Sequence, residues 1–571
     1  MIGVYRHYIH EGIAILPDGI TIIEEYAFAN CNSLTRIEIP NSVTIIGEGA
    51  FSGCKGLTCV EIPNSITEIG KYAFSRCTRL TRIEIPNSVT EIGEQAFFGC
   101  EELTHIEIPN SVLIIGDFAF GGCTGLTSIE ISDREAWIDG RVTWIEEGAF
   151  SECSGLTTIV IPNCVTEIRA FAFSGCSRLT NIKIPNSVTK IGEYAFSRCS
   201  GLTSIEIPNS VTEIEKLAFS GCSSLTSIEI PESVTKIGGH AFSGCTGLTS
   251  IEIPKSMTTI GKEAFFRCVW LTHIEIPNSV TEIGEQAFSG CAGLTSVEIP
   301  DSVTEIGPGA FEGCLGLTSI EIPNSVTKIG MGAFSECTGL THIEIPYSVT
   351  EIRPAPFSGC TGLVSIKVSY SNAFFVSDGN CLLDKTKKTL LAGCKSSKIP
   401  NSVSLIGEHA FNRCSGLTSI DIPNSVTEIG KHAFCECTGL TGIEIPNSVT
   451  KIGEEAFYGC SGLTSIEIPN SVTEIGEFAF SGCSGLTSIM IPTSVIKIGR
   501  GALLVNTGLK ELRILEKEPT VAETLFDLDV LYDAKVFENL SNISLHVPIG
   551  AGYAYRHNSF FAHFKEVLPI L

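Results

Sequence analysis

The stretch "LTHIEIPNSVTEIGEQAFSGCAG", residues 271–293, decides the fold, because the chain writes it again and again with few changes. Counting Leu271 as position 1, the same leucine recurs at Leu34, Leu57, Leu80, Leu103 and Leu126, then from Leu156 to Leu363 at steps of 23, then from Leu417 to Leu509. An Ala-Phe pair keeps the same clock from Ala27-Phe28 to Ala479-Phe480, varied as Pro356-Phe357 and Ala502-Leu503. That makes twenty coils. Internal repetition on this period overrides any domain count drawn from length alone.

Within a coil, Leu-Thr-His-Ile-Glu-Ile-Pro alternates apolar and polar residues, which predicts a short strand buried on one face. Proline at position 7 ends it, since proline cannot donate to a ladder. Asn-Ser turns the chain. Val-Thr-Glu-Ile-Gly alternates again and predicts a second extended segment. Glu-x-Ala-Phe-x-x-Cys then predicts one tight turn of 3₁₀ or α type. Positions 1, 4, 6, 10, 13, 17, 18 and 21 form the expected inward set. A coil of 23 residues cannot enclose eight such side chains by itself, but stacked coils cover one another's open faces. The expected fold is therefore a β-rich repeat solenoid of about twenty 23-residue coils.

Two steps break the period. Seven extra residues lie between Leu126 and Leu156, around "SDREAWIDGRVTW", and 31 lie between Leu363 and Leu417. The expected organisation is an incomplete N-terminal segment (1–12), a solenoid (13–509) with insertions near 132–142 and 369–398, and a C-terminal α/β cap (510–571). The cap follows from a strand ending at Pro548, an aromatic amphipathic helix and a closing strand, which together would cover the last coil's core.

The pattern Leu-x-x-Ile-x-Ile-Pro, Val-Thr-x-Ile-Gly, Ala-Phe-x-x-Cys on this period resembles the BspA-type (Treponema-type) leucine-rich repeat family. The segment "NAFFVSDGNCLLDKTKKTLLAGCKSSKIPNSV" (372–403) is similar to that family's β-hairpin insertion, and "ISLHVPIGAGYAYRHNSFFAHFKEVLPIL" (543–571) to its C-terminal cap. The resemblance implies a surface-exposed or secreted binding protein used in adhesion or host interaction. The start "MIGVYRHYIHEGIAILPDG" lacks a basic segment followed by an apolar run, so no signal peptide is read from it.

A formal charge of −25 argues against nucleic acid as partner and against electrostatic attachment to an anionic membrane. Apolar runs last only a few residues, which excludes a membrane-spanning helix. The charge admits a basic protein partner or Ca²⁺, and no motif calls for a resident cofactor. Position 5 is Glu in fourteen coils, among them Glu38, Glu61, Glu84, Glu107, Glu130, Glu252, Glu275, Glu298, Glu321 and Glu344. Like charges ~5 Å apart repel by ~0.8 kcal/mol in water and ~3 kcal/mol at an effective dielectric near ~20. The stripe reads either as an anionic track or as a tolerated solvent-facing residue copied by duplication. Position 3 departs from its usual Ser at Arg36, Cys59, Arg82, His105, Asn181, His273 and His342, and such departures read either as the footprint of a partner or as drift among copied coils. Trp137 and Trp144 stand on or beside the first insertion, where exposed aromatics anchor interfaces; the alternative is a loop folding its Trp over the core. The 370–398 insertion reads as a hairpin decorating an edge.

Nineteen of the 24 cysteines fall three residues after the repeat's Phe, from Cys31 to Cys483. They read as a buried thiol column, with disulfides between coils as the alternative. Cys435-Glu-Cys437 is the nearest approach to a zinc motif, and its spacing argues against one. No nucleophile triad, phosphate loop or zinc-protease motif appears. Repeated carboxylates in equal environments do not split their pKa values as an acid–base pair must. The expectation is a non-enzymatic, monomeric protein-binding or adhesion module; the alternative is a self-associating structural rod or an intracellular scaffold.

Overall fold

The computed structural model describes residues 5–131, 144–386, 388–503, 505–518, 540–559 and 561–570. Contacts divide the chain into two units, Met1–Val280 with Ala287–Leu294, and Thr281–Gln286 with Thr295–Leu571. Each is a repeat solenoid of the same three-sided coil.

The first side is a parallel ladder. In the first unit, strands Ile13–Ile15, Arg36–Glu38, Cys59–Glu61 and Arg82–Glu84 pair in register, so that Ile37 faces Val60 and Val60 faces Ile83. The second side is a ladder of two-residue strands, Ile22–Ile23, Ile45–Ile46, Glu68–Ile69, Glu91–Ile92 and Ile114–Ile115. Each of the first four buries its second residue, and Ile115 is partly buried.

The third side holds Ala-Phe-x-x-Cys. Its amides point in two directions alternately. Ala27 and Cys31 donate back to Glu24 and Phe28 within the coil, whereas Tyr26, Phe28 and Asn30 donate to Glu48, Ala50 and Ser52 of the next. The backward bonds have the expected 3₁₀ spacing, but they never run on into a helix. Positions 16 and 20 are left-handed: Tyr72 and Arg76 have φ of 56° and 58°, as do their counterparts in coil after coil. Two left-handed residues per coil turn a would-be helix into a ladder.

The inward set packs as the periodicity requires. In one coil of the first unit Leu80, Ile83, Ile85, Val89, Ile92, Ala96, Phe97 and Cys100 are all buried, as are Leu440, Ile443, Ile445, Val449, Ile452, Ala456, Phe457 and Cys460 in the second. The phenylalanines stack near-parallel along the axis. Phe74 and Phe97 lie 5.4 Å apart at 3°, and Phe434 and Phe457 lie 5.3 Å apart at 5°. Each buried side chain of this size contributes ~1.5–3 kcal/mol that an isolated coil could not realise. Glycine at position 14 has a steric reason: a Cβ on Gly70 would stand 2.6 Å from the Ile46 carbonyl oxygen of the preceding coil.

No disulfide joins any of the 24 cysteines. Those of the column also bond: Cys77 Sγ donates to the Phe51 carbonyl at 3.2 Å, and Cys460 Sγ to that of Phe434 at 3.1 Å.

At the start of the first unit, Ile9–His10 runs antiparallel to Ile13–Ile15, and the Tyr5 ring stacks on Phe28 at 5.7 Å. Residues 5–10 thus extend the aromatic column rather than stand apart from it. In the second unit the insertion forms strands Phe375–Asp378, Cys381–Asp384 and Thr389–Ala392. These are antiparallel, but the last continues parallel into Leu405–Ile406. Cys381, Leu383 and Leu390 join the core. The hairpin is therefore not an edge decoration; it takes a coil's place in the second ladder. Asn372, 1 % exposed, fixes its entry. Its Nδ2 donates to Pro346 and Val349 carbonyls, and its Oδ1 accepts from the Phe374 and Phe375 amides.

The C-terminal end continues the first ladder through Ser488–Ile491, Glu511–Ile514, Ser544–Val547 and Glu566–Pro569. Helix Gly552–Arg556 buries Tyr555, whose hydroxyl donates to the Glu516 carbonyl at 2.8 Å. Phe561 and Phe564 pack into the same core.

Candidate binding face

The first ladder positions the candidate residues. Its strands bury position 4, so positions 3 and 5 face solvent, and in-register pairing sets them in rows ~4.8 Å apart. Glu38, Glu61 and Glu84 are partners in successive strands, as are Arg36, Cys59 and Arg82. All of these are exposed except Cys59, which is partly buried. The Arg36 guanidinium lies 3.2 Å from Glu61 and 3.9 Å from Glu38. Arg82 pairs with Glu84. This end of the face is thus a mixed row, not a bare anionic one.

Further along the first unit, His105–Ile108 pairs with Ser128–Ile131, which sets Glu107 beside Glu130. His105 Nδ1 shares a hydrogen bond with Ser128 Oγ at 3.0 Å. Strand Ser250–Glu252 pairs with His273–Glu275, which sets Glu252 beside Glu275 and His273 opposite Ser250. In the second unit Glu298 and Glu321 are exposed. His342 faces Ser365, and Glu344 faces Lys367, so a cation interrupts the row there.

The two tryptophans fall differently. Trp137 lies outside the described residues, as does the insertion near 132–142. Trp144 opens strand Trp144–Ile145 of the second ladder, opposite Glu167. It stands in the coil, beside the insertion.

Sequence reasoning misses the exposed aromatics Trp270 and Tyr347, whereas Tyr370 is among those it assigns to the 370–398 insertion. Trp270, 65 % exposed, precedes Leu271 at a position that is usually glycine. Tyr347 and Tyr370, 54 % and 97 % exposed, occupy position 8 of successive coils in the second unit, where Asn is usual. Their signal was available as departures from the repeat. Part of the second ladder, by contrast, pairs its charges. Glu167, Lys190, Glu213 and Lys236 alternate along it. Lys190 and Lys236 each reach Glu215 at 3.0 Å. Burial raises the Glu215 pKa, but the hydrogen bonds from the two lysines outweigh it and hold the carboxyl below its ordinary value. Charge is thus offset over these coils, while Glu68 still faces Glu91 and Glu282 faces Glu305 elsewhere on the same side.

The model of the BspA type leucine rich repeat region (6 copies) matches residues 13–127, 143–272, 258–379, 391–510 and 428–547. The chain belongs to that family. Among solved structures, a leucine-rich repeat protein from Bacteroides ovatus is 33 % identical with a TM-score of 0.57, covering 62 % of this chain and 91 % of its own. A leucine rich cell surface protein from Faecalibacterium prausnitzii is 26 % identical with a TM-score of 0.39, covering 72 % of this chain and 87 % of its own. The pneumococcal vaccine antigen PcpA is 20 % identical with a TM-score of 0.41, covering 72 % and 94 %. No curated protein matches the chain. What the BspA-type coils offer chemically is a row of carboxylates broken by Arg, His and Lys, with isolated aromatics beside it. No described helix is long and apolar enough to cross a membrane.

Proposed function

We propose that the chain is a non-enzymatic protein-binding module that engages a basic partner through the outward positions 3 and 5 of its first ladder. The observation that carries this is the in-register row of exposed side chains Arg36, Glu38, Glu61, Arg82 and Glu84, repeated in kind at His273 and Glu275 and at His342 and Glu344. A face with evenly spaced charges and no enclosing cleft suits an extended macromolecular surface rather than a small molecule. Charge complementarity there would set specificity and association rate. The family resemblance supports a location at the cell surface or in the secreted fraction, with adhesion as the use. The module acts as a monomer, and Ca²⁺ on the glutamate row is an accessory proposal, not a requirement.

The test is binding to a lysine-rich peptide by biosensor, comparing two triple variants of equal charge. Glu38, Glu61 and Glu84→Gln removes the first three glutamates of the row; Glu68, Glu91 and Glu94→Gln changes the second side of the same coils. The expected result is a loss of roughly 10-fold confined to the first variant, with both affinities falling as salt rises. Equal losses would overturn the placement. Light scattering across a concentration series gives a constant monomer mass; growth of the mass would favour the self-associating rod. Coincident melting curves with and without Ca²⁺ would remove the accessory ion.

A further inference from the structure

Position 16 is left-handed in coil after coil and carries Tyr, Gln, Phe, Leu or Gly in most of them. In three successive coils of the second unit it carries His409, His432 and Glu455, and position 19 beside His432 is Cys435, where Ser is common. Residues 432 and 455 are one period apart, so stacking brings them together. His432 Nδ1 lies 3.2 Å from Glu455 Oε2. The ligand atoms of His432, Cys435 and Glu455 all lie within 4.8 Å of one another. Among the described residues no other trio of His, Cys, Asp or Glu converges in this way.

We propose that His432, Cys435 and Glu455 form a binding site for a divalent transition metal of the zinc class, with one coordination position open to solvent or to a donor from outside the chain. A tetrahedral centre with metal–ligand bonds of ~2.0–2.3 Å separates its donors by ~3.3–3.7 Å. The His–Glu pair already has that spacing, and rotation of one thiol supplies the rest. One imidazole, one thiolate and one carboxylate select a borderline metal and disfavour Ca²⁺ and Mg²⁺, which demand oxygen. A thiolate and a carboxylate also neutralise a dication, so the loaded site carries no net charge.

The surroundings fit that role. The His432 ring stacks on His409 at 4.6 Å and 8°, and His409 Nδ1 is held by Asn412 Nδ2 at 2.9 Å. The stack on His409, itself held by Asn412, restricts rotation of the His432 ring. Cys435 is only 7 % exposed. Without metal, burial and then the charges of Glu436 and Glu455 push its pKa up to about 12, against the opposing Arg413. A bound dication reverses that balance and takes the thiolate outright. The Cys435-Glu-Cys437 spacing argues against zinc in the sequence, because the third donor, Glu455, lies one period away and comes close to His432 and Cys435 only across coils.

The full-length chain, stripped with chelator under reducing conditions, is titrated with Co²⁺ and followed by its thiolate-to-cobalt charge-transfer absorption. The expected result is one equivalent bound, displaced by Zn²⁺. Cys435→Ser abolishes the band, and His432→Gln and Glu455→Gln weaken binding roughly 10-fold or more, at least the loss seen when supporting groups are removed. Each replacement writes a residue other coils already use at that position, as at Ser75, Ser289, Gln95 and Gln286, so the coil is retained. Matching thermal melts of the metal-free variants verify this. Absence of the band, or a band unchanged in Cys435→Ser, overturns the site. Because the peptide assay above reads glutamates of the first and second sides and this site lies on the third, its outcome and this one are independent.

Discussion

Cys77 Sγ donates to the carbonyl oxygen of Phe51 at 3.2 Å, and Cys100 makes the same contact to Phe74 one coil further on. The column thiol is therefore a donor as well as a packing group, which alanine cannot replace. Cys77→Ala is expected to cost about 1–3 kcal/mol through the lost bond and the residual void, read by urea denaturation. In the native protein, iodoacetamide should modify the partly exposed Cys59 and Cys164 first, with column cysteines labelled only after unfolding; peptide mass mapping checks this.

The same burial gives the protein an alkaline limit. Desolvation carries the thiols of Cys123, Cys199 and Cys291 from 9.0 to about 12. Here the folded-state pKa is raised, so the neutral thiol is favoured in the fold. That stability is fully present below the unfolded pKa and is lost as pH climbs toward the folded one. Between pH ~9 and ~12 each such thiol costs about 1.4 kcal/mol per pH unit, because the unfolded chain releases protons that the fold retains. The urea midpoint should be flat with respect to these groups below pH ~8 and fall steeply above ~9. A shallow fall would show that the column is open to solvent.

Phe97 lies between Phe74 and Phe120, at 5.4 Å and 5.2 Å, and is fully buried. Phe97→Ala should cost ~3–5 kcal/mol. Since each coil touches only its neighbours, hydrogen exchange should quicken in the adjacent coils while distant ones stay protected.

Two glycines separate two causes. A Cβ at Gly70 would meet backbone atoms at 2.6, 2.8 and 2.9 Å, whereas one at Gly99, φ +71°, would have nothing nearer than 3.7 Å. Position 20 already accepts left-handed Arg76, Arg198 and Arg267. Gly70→Ala should therefore destabilise by ~1–3 kcal/mol, and Gly99→Ala by ~1 kcal/mol or less, in parallel urea titrations.

The inward set was legible because alternation and a fixed period place Leu80, Ile83, Phe97 and Cys100 on one side without ambiguity. The third side was less so: composition at positions 15–21 reads as a helical turn, and only the left-handed backbone at Tyr72 and Arg76 prevents it. Those residue types do not announce positive φ; the hydrogen bonds to the next coil impose it. The outward row was legible as to which residues face solvent, but not as to which of them pair. That Arg36 reaches Glu61 as well as Glu38, and that Glu344 faces Lys367, depends on register between coils. His432 and Glu455 were hidden for the same reason, since neighbours across a period look distant in a linear search.

A chain that copies itself this closely faces a counting problem as it folds. Coil n can dock on n+2 with nearly native contacts, and the core penalises such a slip only by the coil left looped out. The hairpin around Asn372 does not tolerate the error. Two of the Asn372 hydrogen bonds tie it to the Pro346 and Val349 carbonyls and two hold its own Phe374 and Phe375 amides, and its last strand pairs with Leu405–Ile406. An irregular module inside a monotonous array thus acts as a landmark, setting the phase from which the coils on either side are numbered.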